Sequence, residues 1–222
     1  HGALNILEHV PHQDGFDLLS ARNVIIRYNT VFDFTQLIYF PLKDEANLYL
    51  DGAQIYGNVL YTNRYWTVNG GEAPGIFIDA RRSGAIVRNV DVHSNTVGWC
   101  GYGAIWIMDD GLGMGAGQIS GIKIRNNIFY QSNVDVSGPS TEVTFDYNAL
   151  YQSTLSVNAG PNNKYVDPQF VNYSRYQSWD FHLKSTSPAI NTGADLGVTF
   201  LDIDGQTRPL GGRLDIGAFE RQ

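Results

Sequence analysis

Cysteine is almost absent. Cys100 is the only one, so the chain can form neither an internal disulfide nor a thiolate metal cluster. Charge is sparse as well, at 17% of residues, and the basic side is the weaker one: 15 Lys and Arg against 22 Asp and Glu, a net charge of −7. That balance argues against a nucleic-acid partner and against an anionic membrane surface, since both want a basic face. No apolar run approaches the length of a membrane span, and no signal peptide is visible. The chain opens at His1 already in strand-like text. It is therefore read as a processed or excised part of a longer, secreted protein.

What is present points to strands and turns. The 222 residues are 43% hydrophobic, with 24 Gly and 13 Tyr. This is enough to bury a core, and it suits an all-β chain with many turns and aromatic surfaces. One pattern recurs five times, a short strand, an Asn and a second short strand. The asparagines are Asn29, Asn58, Asn95, Asn127 and Asn148. Their unequal spacing fits a solenoid whose loops vary on one side. A tight bend asks for a residue that tolerates the left-handed region and can hydrogen-bond the backbone, and stacked Asn side chains can bond to one another. These asparagines are read as structural. The predicted fold is a right-handed parallel β-helix of roughly six or seven coils, three short strands to a coil, in which stacking buries a column that no single strand could bury alone.

A second set of stretches carries the candidate site: Asn47-Leu48-Tyr49-Leu50-Asp51-Gly52, Gly75-Ile76-Phe77-Ile78-Asp79-Ala80 and Gly103-Ala104-Ile105-Trp106-Ile107-Met108-Asp109-Asp110-Gly111. Side chains alternate along a strand. Leu48/Leu50, Ile76/Ile78 and Ile105/Ile107 are then expected inward, with Tyr49, Phe77 and Trp106 in one outward stripe. Asp51, Asp79 and Asp109 would lie along its edge. Loops leading into the strands add Trp66, Trp99 and Tyr102. Flat aromatics stack on the apolar face of a sugar ring at little entropic cost, and the acidic groups would take hydroxyls or hold calcium. The competing reading is that the aromatics pack beneath the loops as a satellite cluster.

The last quarter of the chain has its own vocabulary: Asp167-Pro168-Gln169-Phe170, Asp180-Phe181-His182-Leu183, Ser187-Pro188-Ala189-Ile190, Asp202-Ile203-Asp204-Gly205 through Arg208-Pro209, and Asp215-Ile216-Gly217-Ala218-Phe219-Glu220. Together and in this order they resemble the carboxy-terminal end of secreted bacterial right-handed β-helix proteins, the pectate-lyase-like superfamily. The resemblance implies coils over residues 1–160, then a last coil and terminal cap over 161–222. Asp202, Asp204, Arg208, Arg213 and Asp215 become structural residues of the cap. The superfamily hosts lyases, hydrolases and binding modules alike, so function rests on the site.

Three functions compete. In size and architecture the chain is similar to β-helix modules that bind xylan and accompany xylanases, which implies a non-catalytic binding module appended to a catalytic domain. A lyase of the superfamily would use Asp51, Asp79, Asp109 and Asp110 to hold calcium, with Arg81, Arg82 or Lys43 as base. A glycoside hydrolase would need two carboxylates across the scissile bond, drawn from Asp79, Asp109 and Asp110. Basic residues are too sparse for a polyuronate groove, and His93 sits in a repeat strand where a packed or a surface histidine is expected. The binding module is the preferred reading.

Overall fold

The computed structural model describes residues 14–62, 74–109, 116–137, 142–173 and 179–221. Trp66 and Asp110 lie outside them. The described chain is all-β, with no α-helix. It goes round through four sheets in turn, here A, B, C and D. The first round is β1 (Asp14–Asp17), β2 (Ala21–Arg22), β3 (Ile25–Arg27) and β4 (Thr30–Phe32); the second is β5 (Gln36–Phe40), β6 (Tyr49–Asp51), β7 (Gln54–Tyr56) and β8 (Val59–Tyr61). The third is β9 (Ile76–Asp79), β10 (Ile86–Arg88), β11 (Asp91–His93) and β12 (Thr96–Gly98). The fourth is β13 (Ile105–Met108), β14 (Gln118–Ser120), β15 (Ile122–Arg125) and β16 (Ile128–Tyr130). A fifth round has β17 (Val134–Ser137), β18 (Val143–Asp146) and β19 (Ala149–Tyr151). Two isolated bridges, Val134 to Leu155 and Phe145 to Ala159, and β20 (Lys164–Tyr165) begin a sixth.

Each strand pairs in parallel with its counterpart one round away, an arrangement consistent with a parallel β-solenoid. Four strands make a full round, where three were expected. The additional strand is the two- or three-residue segment of sheet B, whose apolar spacing matches that of the sheet A strand before it, so that the two read as one kind of strand.

Register explains the core. Ile38, Ile76, Ile105 and Val134 align in sheet A. Ile26, Ile55, Val92, Ile124 and Phe145 align in sheet C, and Val31, Leu60, Val97, Phe129 and Leu150 in sheet D. All of them are buried in one cluster. Each such side chain contributes about 1.5–3 kcal/mol by leaving water, but only because its counterparts above and below are present.

The bend between sheets C and D is held by the asparagine column. The backbone N–H and the Nδ2 of Asn29 both donate to Asn58 Oδ1, and the same double contact repeats from Asn58 to Asn95, Asn95 to Asn127 and Asn127 to Asn148, every distance 3.0 Å. Asn163 extends the column by one, accepting from Asn148. The residues with positive φ are those just before the asparagines: Tyr28, Gly57, Ser94, Asn126 and Tyr147. The bend thus divides its labour, one residue taking the strained backbone and the next binding the backbone groups it exposes.

After β20 come two antiparallel hairpins, β21 (Phe170–Asn172) with β22 (Asp180–Leu183) and β23 (Phe200–Leu201) with β24 (Thr207–Arg208). This block, expected to cover the last coil, packs along the flank of the stack. Phe170, Phe181, Leu183, Ala189, Ile216 and Ala218 share a second core with Val59, Ile128, Tyr130 and Ala149 of sheet D. The outer face of that sheet is apolar, so it needs cover along its length. Gly217, at φ 107, makes the approach: its N–H donates to Asn126 O, and a Cβ there would lie 2.6 Å from Ile128 Cδ1. Leu201 N–H reaches back to Tyr28 Oη of the first round at 3.2 Å.

Candidate functional site

Sheet A carries the aromatic column on its outer face, with one change of member. Tyr39, Phe77 and Trp106 align in register. Tyr49 belongs to sheet B, where its neighbour is Ile86. The expectation that Tyr49 joins Phe77 and Trp106 is corrected here. The reason lies in β5, whose five residues are all buried. Its run Gln36-Leu37-Ile38-Tyr39-Phe40 shows no apolar–polar alternation, whereas the stretch around Tyr49 does.

The rings stack on one another. Tyr39 and Phe77 have centroids 5.0 Å apart at 18°, Phe77 and Trp106 4.6 Å at 15°, and Trp106 and Tyr102 5.2 Å at 9°. Tyr39 and Phe77 are buried, whereas Tyr102 is 47% exposed. Most ring faces are therefore used inside the stack, and the solvent-facing end is Tyr102. Asp135 follows Trp106 in register, and its Oδ1 accepts from Ser156 Oγ at 2.7 Å. An acidic group therefore occupies the next layer, about 4.8 Å further along the stack, and the Ser156 hydroxyl the round after it.

The carboxylates are dispersed. Asp51 ends β6 in sheet B and is paired with Arg88 at 2.7 Å and Arg22 at 3.7 Å; its hydrogen bond from Arg88 holds it below the usual carboxylate range. Asp79 is buried on the outer side of sheet A, two residues beyond Phe77, and both its oxygens accept from Arg81, at 2.8 and 2.7 Å. Lys43 Nζ lies 4.0 Å away. Asp109 is buried just past β13. The expected acidic edge of Asp51, Asp79 and Asp109 does not form, because Asp51 is on a different sheet. Among the described residues no three His, Cys, Asp or Glu side chains converge as a metal site.

The proposed bases are also committed. Arg81 is bound to Asp79, and Arg82 Nη1 donates to the carbonyls of Lys43 and Asp44. Burial lowers the pKa of Lys43, but Asp44, Tyr39 and Asp79 together outweigh it and raise it above the ordinary value. Tyr39 is pushed up to about 12, chiefly by burial. A protonated lysine cannot accept a substrate proton at neutral pH.

Trp99 is the second correction. It is 3% exposed and lies on the flank covered by the C-terminal block, against Tyr130 and Trp179, with Nε1 donating to Gln131 Oε1 at 2.9 Å. A positive φ at Trp99 turns it out of sheet D and under the block. Of the two roles expected for His93 the structure shows packing: it is buried and stacked on Tyr56 at 4.7 Å. Burial lowers its pKa to about 4.

Comparison of the chain with protein-family models, with curated proteins and with solved structures finds no match.

Proposed function

We propose that the chain is a right-handed parallel β-helix of the pectate-lyase-like type acting as a non-catalytic carbohydrate-binding module. Its ligand is a neutral plant cell-wall polysaccharide, xylan first, and its setting is a secreted bacterial protein that also carries a catalytic domain. The observation that carries this reading is the four-ring stack of sheet A ending in the exposed ring of Tyr102. A pyranose ring continues such a stack by burying its apolar face on Tyr102, while the carboxylate of Asp135 and the Ser156 oxygen, beside the end of the stack, accept from its hydroxyls. The low charge of the chain suits an uncharged ligand. A catalytic reading is weakened by the double engagement of Asp79 by Arg81 and by the protonated state of Lys43.

The test is affinity electrophoresis of the chain in gels containing xylan, mixed-linkage glucan, pectin or alginate, each with calcium and with chelator, followed by product analysis. Retardation on xylan with no new reducing ends and no unsaturated products is the expected result. Shorter oligosaccharides or unsaturated uronates would give the aspartates catalytic roles instead. No retardation on any of the four glycans would remove the binding reading.

A further inference from the structure

His182 sits on β22 between two carboxylates. Its Nδ1 is 2.5 Å from Asp180 Oδ1, on its own strand, and its Nε2 is 2.6 Å from Asp204 Oδ2, in the turn joining β23 and β24. Its ring packs on Phe219 with centroids 4.1 Å apart. Carboxylates only accept hydrogen bonds when ionised. Satisfying one on each side requires both ring nitrogens to carry protons. We infer that a doubly protonated His182 is a latch between the two C-terminal hairpins, and that the latch opens as the pH rises.

The charged groups around the ring are consistent with this. Asp180 faces it from β22 and Asp204 from the β23–β24 turn. Glu220 and Arg221, from the end of the chain, line the same cleft. Glu220 is already bound to Arg208 at 2.9 Å. Partial burial works against the charge on His182, but the hydrogen bonds and charges of Asp204 and Asp180 outweigh it and raise its pKa.

The latch joins parts with different attachments. β22 sends Phe181 and Leu183 into the core over sheet D. β23 sends Phe200 against Tyr56 and His93 of sheet C, and Leu201 to Tyr28 of the first round. Loss of the proton removes one of the two bonds that the ring makes and leaves two carboxylates facing one another across it. The β23 end and the turn of the hairpin then gain freedom to leave the coils, while Arg208 stays anchored to Glu220 and the core over sheet D persists.

The experiment is made on the full chain by NMR. Long-range nitrogen shifts report the state of each histidine ring, and amide exchange, corrected for its intrinsic pH dependence, reports hairpin opening. The expected result is a cationic His182 at pH 7. Opening of residues 200–206 should then increase as the pH rises above the pKa of a free histidine, by up to about tenfold per pH unit until the folded pKa is passed. Asp204→Asn should flatten this rise. A neutral His182 at pH 7, or opening of the wild-type hairpin that is independent of pH, would overturn the inference even if the variant failed to fold.

Discussion

Asn58 gives both its backbone N–H and its side-chain amide to one atom, Oδ1 of Asn95, each at 3.0 Å. The Nδ2 of Asn95 in turn donates to Ile55 O, His93 O and Asn127 Oδ1. Both side chains are fully buried. One substitution at Asn95 therefore orphans groups on both neighbouring rounds. Asn95→Ala is expected to cost about 3–5 kcal/mol, the sum of two or three buried groups left unsatisfied at about 1–3 kcal/mol each. Asn29 ends the column and is partly exposed, so Asn29→Ala should cost about 1 kcal/mol. Urea denaturation of both variants measures the difference. Equal losses would mean that the column is not cooperative.

The asparagine column was legible because each Asn is preceded and followed by short strand text, so the repeat survives unequal loops. Asn163 was missed because only a bend and a two-residue strand surround it. The aromatic column was half legible. Phe77 and Trp106 sit at the same offset in alternating strands, but Tyr39 lies in a strand buried on both faces, where alternation is erased. Tyr49 imitated it because the first and second strands of a round share the same apolar spacing. Only the distance round the coil separates them, and variable loops hide that distance. The C-terminal block was legible as structural, but its placement along sheet D depends on an outer apolar face, Val59, Ile128 and Ala149, that reads as one side of ordinary strands.

Tyr102 and Phe77 belong to one stack and should separate binding from stability. Phe77 is 3% exposed between two rings, so Phe77→Ala should cost about 3–5 kcal/mol as a core truncation. Tyr102→Ala removes an exposed terminal ring. It should leave the denaturation midpoint nearly unchanged and weaken xylan binding about tenfold or more, a stacking contribution on the order of 1–2 kcal/mol. Affinity electrophoresis beside thermal melting checks both. Unaltered retardation of Tyr102→Ala would place any glycan site elsewhere.

Arg208 is fully buried and divides its donors among Glu220 Oε2 at 2.9 Å, Gly217 O at 2.9 Å and Asp215 O at 2.7 Å. Removing one partner leaves a buried charge. Arg208→Ala and Glu220→Ala are each expected to cost about 3–5 kcal/mol, lost chiefly from the C-terminal block. Arg208→Lys should rescue little, since one ammonium cannot reach three separated acceptors in the plane of the guanidinium. Binding of an apolar dye, together with denaturation, tests whether the flank of sheet D becomes exposed. A variant as stable as the wild type would show that the block does not depend on this arginine.

His93 gives the acid side of the pH profile. It is 7% exposed, stacked on Tyr56 and touched edge-on by Phe200. Burial is the largest influence on it and favours the neutral ring; Asp91 opposes this, while Arg125 and Arg208 reinforce it, and the pKa is lowered from 6.5 to about 4. The sign follows from linkage. Between these values the unfolded chain binds a proton that the folded chain refuses, so stability falls as the pH drops from 6.5 and stops falling, for this group, near 4. The full effect is on the order of 3 kcal/mol, since each pKa unit is worth about 1.4 kcal/mol. His93→Phe keeps a flat ring in the stack and removes the titration. The difference in unfolding free energy between the two proteins should therefore narrow or reverse in favour of the variant as the pH falls from 7 to 4, whatever the carboxylates contribute to both. Parallel profiles over that range would mean that the His93 ring takes up its proton as readily in the fold as outside it.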